Sequence, residues 1–107
     1  MKDFRIVSEE EFKERILSVL TNMKVKAVTG PGRSGAIAAV YASYILDIPF
    51  IPYGRKVAKD LQPLLIIDTA KYSGSTLLKA SKLYNDVTTN IIWLYDEPPM
   101  VRFWYEF

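Results

Sequence analysis

The 107-residue sequence contains no cysteine and no histidine. The first absence excludes disulfides, thiol nucleophiles and zinc–thiolate centres. The second excludes an imidazole base and, with it, a Ser-His-Asp triad. Long apolar runs are also missing, all of them far short of the roughly 20 residues that span a bilayer. The opening MKDFRIVSEEEF holds no apolar core of signal-peptide length. A cytoplasmic chain with no membrane partner is therefore expected. Nor does one sign of charge dominate: fourteen basic against twelve acidic residues leave +2. Lys24, Lys26, Arg55, Lys56 and Lys59 are not interleaved with aromatics along one element, so nucleic acid is not an expected partner. Chemistry must come from carboxylates, lysine, hydroxyls, backbone amides or a metal held by oxygen.

What is present is a globular balance, 50% hydrophobic and 24% charged. The length fits one domain over residues 1–107 with a modest core, which makes self-association as a homodimer an expectation. SEEEFKERILSVLTNM opens with a capping box, Ser8 and Glu11, and places Phe12, Ile16, Leu17 and Leu20 on one helical face. KVKAVTG (24–30) reads as a strand ending at glycine, and SGAIAAVYASYILD (34–47) as a buried helix. IPFIPY (48–53) reads as a short edge strand carrying two prolines. LLIID (64–68) has the unbroken apolar character of a central strand. SGSTLLKASKLYND (73–86) reads as a helix capped by Ser73, NIIWLY (90–95) as a strand, and VRFWYEF (101–107) as a strand or extended tail. Helices alternating with apolar strands predict an α/β layer with a mainly parallel sheet.

Ligands of such sheets bind beyond the carboxyl ends of the strands. Two loops of unusual composition fall there. In TGPGRSG, Gly30, Gly32 and Gly35 permit close backbone approach, Arg33 offers a charged fork, and a helix start near Ser34 presents unsatisfied amides. An ordinary glycine-rich turn with a surface arginine accounts for the same residues. In DTAKYSGST, Asp68 ends a strand where it can meet ribose hydroxyls or support magnesium, while Tyr72, Ser73, Gly74, Ser75 and Thr76 gather amides and hydroxyls at a helix start. The plainer alternative is a serine N-cap beside a solvated strand-end acid. Arg55 and Lys56 follow the 48–53 segment as a cationic pair suited to a diphosphate, or as solvated charge.

In this order the segments resemble the type I phosphoribosyltransferases. LLIIDTAKYSGSTL is similar to that family's phosphoribosyl pyrophosphate motif, and VTGPGRSGAIAAVYASYILDIPFIPYGRK to its pyrophosphate loop, helix and Arg-Lys strand. NIIWLYDEPP is similar to the next strand and VRFWYEF to the tail of some purine-type members, so the likeness covers most of residues 24–107. The resemblance implies a three-layer, Rossmann-like α/β fold with a mainly parallel sheet of about five strands. It implies that Lys71, Tyr72, Ser73, Gly74, Ser75 and Thr76 hold a 5-phosphate, and that Gly30, Pro31, Gly32, Arg33, Ser34 and Gly35 face a pyrophosphate. Arg55 and Lys56 would stand near that pyrophosphate, Asp68 and Thr69 at the ribose, and Trp104 at the base. Asp68 would be the catalytic acid and an indirect partner of Mg2+.

The ligand implied is phosphoribosyl pyrophosphate or a nucleotide, and the reaction implied is transfer of phosphoribosyl to a nucleobase. The sequence departs from the pattern twice. Thr69 stands at the second acidic position, and GRKVAKDLQP (54–63) is too short for a substantial lid. Both departures leave open a non-catalytic regulatory module that binds the same ligands.

Overall fold

The computed structural model describes residues 4–71, 74–96 and 100–107. In chain order the elements are β1 (Phe4–Val7), α1 (Glu9–Leu20), β2 (Ala27–Thr29), α2 (Gly32–Leu46), a 3-10 turn (Lys59–Leu61), β3 (Leu64–Ala70), α3 (Ser75–Leu83), β4 (Thr89–Tyr95), β5 (Met100–Phe103) and a closing 3-10 turn (Trp104–Glu106). The five strands form two sheets, β2-β3-β4 and β1-β5, and every strand pair is parallel. The α/β, parallel expectation is borne out, with its five strands divided three and two.

Local chemistry sets most of these elements. Ser8 Oγ accepts the Glu11 amide at 3.1 Å, satisfying one of the free donors of the first turn, where Glu9, Glu10 and Glu11 complement the helix dipole. Phe12, Ile16 and Leu20 then bury one stripe of α1, whereas Leu17, expected on that face, is 55% exposed. Helix α2 buries Gly35, Ala38, Ala39 and Ala42, small residues that let it lie close against the sheet. Leu64–Ile67 are buried on both faces, as a central strand requires.

Alternation along the strands builds three layers. Val28, Leu65, Ile67 and Leu94 join Phe12, Ile16 and the α2 alanines in one core cluster. Ala27, Leu64 and Ile66 join Ala80 and Tyr84, at and just beyond the end of α3, in a second. The sheet thus lies between α1/α2 and α3. At the end of β3, Asp68 continues the α3-facing series and Thr69 the α2-facing series.

Three expectations are corrected. The 48–53 segment forms a single parallel bridge, Val28 with Phe50, rather than a strand; Pro49, beside the bridge, has no amide to extend the ladder toward Lys26. Residues 4–7, unassigned from sequence, are a strand paired with β5. Helix α3 begins at Ser75 with Gly74 as its cap residue at φ 82°, whereas Ser73, the expected cap, lies outside the described residues.

Candidate functional site

Strand β2 runs directly into a tight loop. A Cβ at Gly30 would overlap the carbonyl oxygens of Gly35 and Ile67, so only glycine lets the loop close onto both α2 and β3. Gly32 adopts φ +66° in open space, a conformation that glycine takes without a Cβ penalty. Pro31 precedes α2 and offers no side-chain cap, so the first amides of that helix have no side-chain acceptor there. Gly30, Pro31 and Gly35 are buried, while Gly32 and Arg33 are exposed.

At the end of β3, the half-buried Asp68 accepts the amide of Thr69 on Oδ1 at 2.8 Å. Burial raises the Asp68 carboxyl above its ordinary value of 3.8, and the Thr69 amide partly offsets that rise. Tyr53 lies close enough to feel the acid: its hydroxyl is raised by burial first, then by Tyr84 and by Asp68. Thr69 is only 3% exposed and faces the other way, toward α2 and the tail.

Two clefts open here and share Ser34, Arg102 and Glu106. The first, about 370 Å³, is lined by Ser34, Asp68, Thr69, Ala70 and Thr76 together with the tail residues 101–103 and Glu106. The second, about 710 Å³, lies between the start of α2 (Gly32, Arg33, Ser34, Ile37) and the tail, including Tyr105 and Phe107. Ser34 Oγ and the Tyr105 hydroxyl are 2.7 Å apart, tying the glycine loop to the C-terminal turn. The Tyr105 hydroxyl is raised by burial, with the neighbouring Ser34 and Thr69 side chains acting against that rise.

The structure thus brings Gly32, Arg33 and Ser34 of α2, Asp68 and Thr69 of β3 and Thr76 of α3 to one edge of the sheet. Tyr72 and Ser73 lie outside the described residues. Lys71 lies with its ammonium 4.3 Å from the centre of the Trp93 ring and its side chain beside Gly74. Gly74 and the exposed Ser75 lead into α3 beside Thr76. Arg55 and Lys56 line a different cleft, about 440 Å³, with Lys59, Leu83 and Tyr84 at the far end of α3. Trp104 turns to the helices, its ring 5.3 Å from Phe12 and 6.5 Å from Tyr41.

Arg102 and Glu106 were not singled out from sequence, and among the tail aromatics Trp104 was chosen over Tyr105. The signal was present in the alternation of VRFWYEF, which puts Val101 and Phe103 inward and stacks Tyr105 on Phe103 at 5.5 Å and 4°. Among the described residues no group of three or more His, Cys, Asp or Glu side chains could hold a metal. No helix among the described residues is long and apolar enough to cross a membrane.

No family model and no curated protein matches the chain. Solved structures do. A Helicobacter pylori xanthine-guanine-hypoxanthine phosphoribosyltransferase superposes with TM-score 0.76 at 16% identity, over 99% of this chain and 94% of that one. A purine phosphoribosyltransferase from Pyrococcus horikoshii gives TM-score 0.76 at 20% identity, over 94% and 92%. A hypothetical protein from Neisseria gonorrhoeae with bound ppGpp gives 0.75 at 14% identity, over 99% and 90%. The chain has the phosphoribosyltransferase-like fold that its motifs resemble.

Proposed function

We propose that this phosphoribosyltransferase-like chain binds phosphoribosyl pyrophosphate or a purine nucleotide in the paired clefts at the carboxyl edge of β3. The observation that carries the reading is the convergence of Ser34, Asp68, Thr69 and Thr76 around one opening. Arg33 and the amide-rich start of α2 suit a diphosphate, and Thr76 at the start of α3 suits a monoester phosphate. Asp68, at the strand end between them, suits the ribose hydroxyls. A nucleotide-bound neighbour of the same fold and nearly the same length supports the nucleotide side of this reading.

Catalytic transfer is the second reading, and it is supported by the Helicobacter pylori and Pyrococcus horikoshii neighbours, both named as phosphoribosyltransferases. In such a transfer the C1–O bond to pyrophosphate breaks as a C1–N bond to the base forms. Positioning and charge stabilisation carry the step without a protein nucleophile. Among the described residues the donor set does not fit a protein-held magnesium ion. Asp68 supplies one half-buried carboxylate, already engaged by an amide, and Glu106 Oε1 accepts the Phe103 amide at 2.9 Å.

Calorimetry with phosphoribosyl pyrophosphate, ribose 5-phosphate and purine monophosphates tests the binding reading, with Asp68→Asn as the site control. Micromolar binding that the variant loses supports it; no binding at millimolar ligand ends it. Product formation from phosphoribosyl pyrophosphate and guanine, hypoxanthine or adenine separates transfer from binding alone.

A further inference from the structure

The C-terminal turn brings to the clefts a group that phosphate recognition does not use. Tyr105 is held on every side. Its ring stacks on Phe103, meets the Trp104 ring edge-on at 4.9 Å, and sits in a turn closed by the Phe103 amide donating to Glu106. Its hydroxyl is 2.7 Å from Ser34 Oγ and lies close to the Thr69 side chain. Three hydroxyls from three elements therefore meet where the two clefts join. A phenol fixed in this way is a preorganised hydrogen-bonding group.

The chemistry of that cluster is selective. Hydroxyls donate as well as accept, which matches the vicinal hydroxyls of a sugar. A hard divalent cation instead seeks anionic oxygens. Among the described residues that line the two clefts, the carboxylates are Asp68 and Glu106, each with an oxygen engaged by a backbone amide, and Arg33 and Arg102 line the larger cleft. The protein thus brings its own positive charge to an anionic ligand.

We infer that Tyr105 is a ligand-binding residue, its hydroxyl poised by Ser34 and Thr69 to meet the sugar of a phosphoribosyl ligand bound as the free anion rather than as a magnesium complex. The inference rests on the phosphoribosyl reading above and makes two demands beyond it. The affinity of the intact chain should change little when magnesium is replaced by a chelator. The hydroxyl of Tyr105 should matter to sugar-bearing ligands and not to pyrophosphate alone.

The test is calorimetry of the wild type and Tyr105→Phe with phosphoribosyl pyrophosphate, ribose 5-phosphate and inorganic pyrophosphate, each with magnesium and with EDTA. Phenylalanine keeps the ring stack, and thermal melts establish that the variant is folded. Ser34→Ala, which leaves Tyr105 intact but removes one of its anchors, is the second variant. The expected result is wild-type affinity within about threefold in the two buffers. Both sugar ligands should weaken roughly three- to tenfold in Tyr105→Phe, the scale of one neutral hydrogen bond, with pyrophosphate unchanged. Ser34→Ala should also weaken both sugar ligands. Binding only with magnesium, or equal binding by wild type and Tyr105→Phe, overturns this inference while leaving the phosphoribosyl reading in place. Absence of wild-type binding in both buffers overturns both.

Discussion

Asp68 shows how a single carboxylate sets a conflict between folding and binding. Burial raises its pKa above 3.8, and the Thr69 amide only partly offsets the effect. The folded state therefore holds the proton more tightly than the unfolded chain. The resulting stability is complete below 3.8 and is lost as pH rises through the higher folded value. At neutral pH the ionised acid is a net cost to the fold. Asp68→Asn keeps an oxygen for the Thr69 amide and removes the charge. Its thermal midpoint should exceed that of the wild type at neutral pH, and the gap should close on acidification toward 3.8, while ligand affinity is lost. Melts across that range check the sign, and a lower midpoint at neutral pH would show that the charge supports the fold instead. The acid itself was legible in the sequence, because an apolar run ending in Asp before a glycine-containing loop marks a strand end. That Tyr105 rather than Trp104 lines the clefts was not legible. Trp104 is the larger aromatic and drew the base-binding expectation, yet the closing turn directs it to Phe12 and leaves the phenol facing Ser34.

At the scale of elements, the glycine loop after β2 separates two reasons for glycine. At Gly30 the constraint is space, since a Cβ would overlap two backbone carbonyls that cannot move without displacing α2 or β3. At Gly32 the constraint is torsion alone, φ +66° with nothing within 4 Å. Gly30→Ala should therefore cost more than about 3 kcal/mol, in the range of severe core disruptions. Gly32→Ala should cost about 1–2 kcal/mol, the scale of a left-handed residue. Urea denaturation of both variants measures the difference, and equal costs would contradict the close approach at Gly30. The same contrast explains what the sequence disclosed of the elements. Helices α1 and α2 and strands β3 and β4 were readable because periodicity is a local property. That the loop after β2 closes on the Ile67 carbonyl was not, since it depends on where β3 lies. The 48–53 segment looked like a strand by composition, but it forms one bridge, with Pro49 beside it lacking an amide.

Across the whole molecule, the two ends of the chain close on each other. Strand β1 pairs in parallel with β5 from Phe4↔Met100 to Val7↔Phe103, a register that no local pattern in a four-residue segment announces. The join is reinforced from α1. Arg5 Nη1 donates to both Glu11 oxygens at 2.8 and 2.9 Å, the Tyr95 hydroxyl donates to Glu11 at 3.1 Å, and Arg15 Nη1 donates to the Leu94 carbonyl at 2.8 Å. Phe12 sits at the centre, with Tyr41 of α2 and Phe103 and Trp104 of the tail all within 6 Å, ring centre to ring centre. It therefore couples the first helix, the second helix and the C-terminal turn that carries Tyr105. Phe12→Ala should cost about 3–5 kcal/mol, a large part of the roughly 5–15 kcal/mol by which a domain is stable. Leu17→Ala, on the same helix at 55% exposure, should stay within about 0.5 kcal/mol in urea denaturation. Because Phe12 touches the tail directly, the tail should unfold with the rest and not before it. In a Trp93→Phe background, Trp104 fluorescence reports the tail and far-ultraviolet circular dichroism reports the helices. Coincident transitions are expected, and an earlier fluorescence transition would show that the tail opens independently of the α1 contact.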